Sequence, residues 1–118
     1  MSSRPPRQRI QDMIDAIARI RSYTSGMDYQ QFVADTKTVD AVVRNLELIG
    51  EASRRVPSSY LTNFLEDDWR RIGDMRNKLI HDYADTNVDL VWQTVCSRLD
   101  ALEIALQAML ERLADRET

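Results

Sequence analysis

Eight consecutive residues, Arg76-Asn77-Lys78-Leu79-Ile80-His81-Asp82-Tyr83, contain the chain's only histidine and most of the chemistry its side chains offer. From Asp68 onward, Trp69, Ile72, Met75, Leu79 and Ile80 recur at helical spacing, interrupted only by Gly73. At about 100° per residue, Trp69, Ile72, Ile80 and Tyr83 share one side of this helix, and Arg76 falls in the middle of that side. A guanidinium is costly to bury alone, so Arg76 must face a carboxylate, a cleft, or another subunit across which an anion can sit. Asn77 and His81, four apart, are stacked neighbours on the flank of the stripe. Arginine presents a rigid fork of donors that matches phosphate. An imidazole, with an unperturbed pKa of about 6.5, exchanges protons near neutrality. Together they suit phosphodiester cleavage. A helix ending near Asp82 would favour the imidazolium, the general-acid form, through both its dipole and the Asp82 carboxylate. The same residue types also make an ordinary solvated helix face, and on chemistry alone that alternative stands.

The order Arg76, four residues, His81, one residue, Tyr83 resembles the signature of HEPN-domain ribonucleases, and of the HepT-like toxins in particular. Upstream, the stretch from Asp40 to Ala52, ending in Gly50-Glu51-Ala52, looks like that family's second helix. Downstream, Val91-Trp92 looks like the start of its last helix. With Trp69 before the arginine, the likeness runs from about Ile10 into the final helix.

The resemblance implies a HEPN-type antiparallel helical bundle and a toxin that cleaves RNA, with tRNA a first substrate class to try. It implies that the 2′-hydroxyl attacks the adjacent phosphorus while His81 transfers a proton and Arg76 stabilises the transition state. Asn77 and Asp82 orient these groups in that picture, and Glu51 either stays on the surface or holds Arg76 in position. One histidine cannot easily serve as both acid and base, which makes a symmetric homodimer attractive. The implied partner is a small MntA-like nucleotidyltransferase that neutralises the toxin by transferring AMP to Tyr83, a residue that is otherwise a core aromatic. A second reading keeps the same residues without catalysis: a nucleotide-binding module that pairs with and regulates a nucleotidyltransferase.

The elements that must position this stretch are all helical in pattern. A chain of 118 residues with three glycines and three prolines has room for one domain of long helices. Residues 1–9 read as a frayed basic arm, 10–113 as the domain, and 114–118 as a frayed tail. The first helix is expected from Pro6 or Arg7 to Thr24, with Ile10, Met13, Ile14, Ile17 and Ile20 as its stripe and Gly26 as its stop. Asp28 caps a short segment through Tyr29, Phe32 and Val33. The second long helix covers Thr36 to Val56, with Pro57 ending it, and the helix of the motif follows a loop over 57–67. The last runs from Val88 to Leu113. These make an all-α, antiparallel four-helix bundle with a short extra helical segment.

Charge and composition exclude other classes. The net charge of −3 argues against a protein that coats nucleic acid, although Arg70, Arg71, Arg76 and Lys78 form a local basic cluster. One histidine, one cysteine and no carboxylates at ligand spacing give neither a metal site nor another cofactor site, so cleavage is expected to be metal-independent. Cys96 has no partner for an internal disulfide; it is expected to be a small core residue of a cytoplasmic protein. No apolar run approaches the roughly 18 residues of a membrane span.

Overall fold

A computed structural model describes residues 5–57 and 88–117 of the chain. Helix α1 spans Pro6–Thr24, α2 Tyr29–Ala34, α3 Thr36–Arg55, α4 Val88–Ser97 and α5 Leu99–Glu117; among the described residues there is no strand. The chain is an all-α bundle, and the helix expected around the motif lies outside the described residues.

Helix α1 begins at Pro6, whose fixed φ suits the first helical position and whose missing N–H is not needed there. Ile10, Met13, Ile17 and Ile20 are completely buried along one side. Thr24 closes the helix by donating its hydroxyl to the carbonyl of Ile20 at 2.9 Å. Gly26 then takes a φ of +76°, a left-handed turn that a side chain rarely adopts.

Helix α2 has only six residues, too few to be stable in isolation. Its start is secured by a capping box in which Gln31 N–H donates to Asp28 Oδ1 and Asp28 N–H donates to Gln31 Oε1, both at 2.8 Å. Its end is also the beginning of α3. The Asp35 N–H donates to the Phe32 carbonyl at 3.1 Å, while the Asp35 carboxylate accepts from Thr38 N–H at 3.1 Å and from the Thr38 hydroxyl at 2.7 Å. Those bonds from Thr38 hold the Asp35 carboxyl below the usual carboxylate range.

Helix α3 lays Val42, Val43, Leu46 and Ile49 against the stripe of α1, and α5 completes the core with Leu99, Leu102, Leu106 and Met109. Fully burying each such aliphatic chain contributes about 1.5–3 kcal/mol, an upper figure for a real denatured ensemble. On the rim, Arg21 ties α1 to α5 by donating to Glu103 at 2.7 Å and to Asp100.

Three expectations change. The single last helix is two, α4 and α5, joined at Arg98. The hydrogen bonds Arg98 N–H to Thr94 and Leu102 N–H to Arg98 carry the chain through this joint. Just before it, the hydroxyls of Thr94 and Ser97 donate back to the carbonyls of Leu90 and Gln93, a competition with the backbone that bends helices. Cys96 is exposed and is not a core residue: it lies about 100° around the helix from the stripe that Val91, Leu99 and Leu102 define. Helix α1 starts at Pro6 as expected, whereas α5 continues to Glu117, past the expected end at Leu113, since no glycine or proline follows Leu113 to stop it. Among the described residues no helix is long and apolar enough to cross a membrane.

Candidate functional site

Arg76, Asn77, His81, Asp82 and Tyr83 lie outside the described residues, so the structure speaks to what flanks them and to Glu51. On the upstream side, α3 ends with Val56 buried in the core and its N–H directed to the Ser53 carbonyl at 3.4 Å. Gly50, Ala52 and Ser53 are buried, and Glu51, between them, is about 38% exposed. The Glu51 carboxylate accepts from Arg55 Nε at 3.0 Å and lies 3.6 Å from Arg54. Both arginines sit in the last turn of α3, where the helix dipole favours cations. Sequence reasoning left Glu51 between the surface and a place beside Arg76; the structure puts its carboxylate at the helix flank with local arginine partners.

On the downstream side, α4 opens with Val88 packed on the core and Asp89 in the first turn, where a carboxylate complements the dipole. The Tyr29 hydroxyl donates to Asp89, and this bond raises the Tyr29 phenol above its ordinary value. Trp92 packs against the buried ring of Phe32, centroids 4.9 Å apart and planes tilted by 34°, with Tyr29 beyond at 6.4 Å. Both chain segments that lead to residues 58–87 are therefore anchored, one in the α1–α3 core and the other under α2.

Sequence reasoning missed a polar contact in the α1–α3 seam. Asn45, 5% exposed, accepts from Arg19 Nε at 2.8 Å and donates to the Ala41 carbonyl at 2.8 Å. The signal available was an amide at a buried position beside Val42, Leu46 and Ile49. Above it opens a groove of about 240 Å³ between α1 and α3, lined by Asp12, Asp15, Arg19, Leu48 and Glu51 among others. Among the described residues no cluster of histidine, cysteine or carboxylates is arranged to hold a metal.

Comparison with known proteins supplies what the flanking geometry does not. The sequence profile of the family described as ribonuclease HepT-like matches residues 13–109. A protein of Thermococcus cleftensis named as a probable ribonuclease HepT is 37% identical over 94 residues, 80% of this chain and 86% of its own. A protein of Methanocaldococcus jannaschii named as a candidate RNase is 30% identical over 99 residues, covering 84% and 82% of the two chains. A candidate RNase of Caldanaerobacter subterraneus subsp. tengcongensis is 29% identical over 107 residues, 91% of this chain and 96% of that one. No solved structure matches. With its profile spanning both flanks and the Arg76-to-Tyr83 stretch between them, the chain belongs to the ribonuclease HepT-like family.

Proposed function

We propose that the chain is the toxin of a toxin–antitoxin pair, a metal-independent endoribonuclease acting through Arg76 and His81. That it is a ribonuclease follows from its family; the residues, the mechanism and the partner are our reading. The observation that carries it is the coincidence of the Arg76-x4-His81-x-Tyr83 order with a profile match that spans it. In the reaction, the 2′-oxygen forms a bond to phosphorus as the bond from phosphorus to the 5′-oxygen breaks. The 2′-hydroxyl proton goes to a base, and the His81 imidazolium gives its proton to the departing 5′-oxygen. Arg76 stabilises the charge that builds on the phosphoryl oxygens, the task a metal ion performs elsewhere. The products are a 2′,3′-cyclic phosphate and a 5′-hydroxyl. A homodimer with two motifs across its axis supplies a second imidazole as the base. Asn77, Asp82 and Glu51 orient the reacting pair. Transfer of AMP to Tyr83 by an MntA-like nucleotidyltransferase places bulk and negative charge beside Arg76 and competes with RNA.

The test is incubation of wild-type and His81→Ala protein with a tRNA pool in EDTA, reading cleavage and the chemistry of the new ends. Cyclic phosphates from the wild type alone are expected. No cleavage by the wild type would shift the reading to a nucleotide-binding module.

A further inference from the structure

The α1–α3 groove is built around an arginine that is already held in place. Arg19 uses Nε on the buried Asn45 amide, and the bond from Asn45 to Ala41 fixes which end of that amide faces the arginine. Its two Nη groups remain, with no ion pair to any described residue. Asp15 lies one turn earlier on the same flank of α1, about 5–6 Å away between Cβ atoms. It accepts from Gln11 Nε2 at 2.9 Å and makes no ion pair with Arg19. A donor fork and a carboxylate therefore stand side by side, uncommitted to each other. Opposite them α3 contributes Leu48, 37% exposed, an apolar surface on which a flat ring can lie.

The charge of the groove selects the ligand class. Arg9 and Arg19 face Asp12, Asp15 and Glu51, and the Glu51 carboxylate is already engaged by Arg54 and Arg55, so among the described residues neither sign dominates the groove. A run of phosphates does not fit that balance. A neutral ring with donors and acceptors along one continuous edge does. Guanine carries acceptors O6 and N7, which match an arginine fork, and adjacent N–H donors that match a carboxylate. Adenine and cytosine place an amino donor where the fork needs an acceptor, and uracil has a single N–H.

Resting on the ribonuclease reading for its choice of RNA, we propose that the α1–α3 groove binds an unstacked guanine of single-stranded RNA, Arg19 reading the acceptor side of its edge and Asp15 the donor side. Unstacked bases in loops and ends are what sequence-specific RNA recognition reads. Glu51, which the proposed mechanism assigns to the reacting site, also lines this groove.

The experiment uses the full chain with His81→Ala, so that RNA is not consumed. Fluorescence anisotropy is measured with short oligouridines carrying one central G, A, C or U. The G-containing strand should bind about tenfold tighter than the others. Asp15→Asn and Arg19→Gln should each remove that preference, so that the four strands bind alike. Asn45→Ala, which frees Arg19 without deleting it, should weaken the preference, with circular dichroism verifying the fold of every variant. Equal binding of all four strands, or a G preference indifferent to Arg19 and Asp15, overturns the base subsite. Cleavage by the wild type is scored in parallel. Cleavage without G preference ends the subsite and keeps the ribonuclease, whereas G-selective binding with no cleavage keeps the subsite and ends the nuclease mechanism.

Discussion

Between α1 and α3 the contact is a long run of aliphatic side chains, several with no accessible surface, whereas at the α2 corner six residues are held by two carboxylate caps, one wedged ring and one phenol. The seam draws its stability from area removed from water and is continuous with the core of α5. The corner draws its stability from hydrogen bonds at the ends of a helix that could not stand alone. Loss at the seam should therefore be global and loss at the corner local. The difference matters for the site, because the upstream flank of the motif stretch ends in the seam and the downstream flank in the corner.

The largest effect tests the seam. Ile17→Ala removes a fully buried side chain and should cost about 2–5 kcal/mol in urea unfolding, lowering the midpoint for all helices together. A loss confined to one helix would break the comparison. Asp28→Ala should cost about 1 kcal/mol, seen as faster amide exchange in α2 while the amides of Val42, Val43 and Leu46 keep their protection. If the seam amides accelerate equally, the corner is part of the same cooperative unit. Arg21→Ala, between the two in kind, loses ion pairs to Asp100 and Glu103 at a largely exposed site. About 0.2–1 kcal/mol is expected, and the difference from wild type should shrink in high salt.

The smallest effect is alkaline. Tyr29 titrates above its ordinary value of 10.0, so the folded state favours the neutral phenol. Its contribution is complete below pH 10 and is lost as pH rises through the raised value. Tryptophan fluorescence should change over that window in the wild type, and part of the change should vanish in Tyr29→Phe. Identical alkaline curves would show that the bond to Asp89 holds nothing.

Much of this fold is legible from helix punctuation. Pro6, Gly26, Asp28 and Pro57 mark ends by backbone geometry or a single local bond, and the stripe of α1 needs only its own spacing. Long-range polar contacts are a different matter. Arg19 meets Asn45 at 26 residues' separation and Arg21 meets Glu103 at 82, and no local pattern connects them. The joint at Arg98 was hidden because the apolar period runs through it; the signal was the pair of hydroxyl residues, Thr94 and Ser97, that precede it. The motif itself was read from residue types and family resemblance, and the family match supports the enzyme class. Glu51 shows the limit of such reading, since its local arginines at three and four residues' distance were in plain view while two places for its carboxylate stood open.

Asp35 has a consequence for how this chain tolerates changes in length. Because one residue terminates α2 and initiates α3, the two helices share a single reading frame with no slack between them. Inserting one residue there would rotate everything after it by about 100° and turn Val42, Leu46 and Ile49 away from α1. Four residues separate α1 from α2, Ser25 to Asp28, and one of them is a left-handed glycine with open space around it. Insertions and deletions among descendants of this sequence should gather at that turn and be absent from the junction at Asp35.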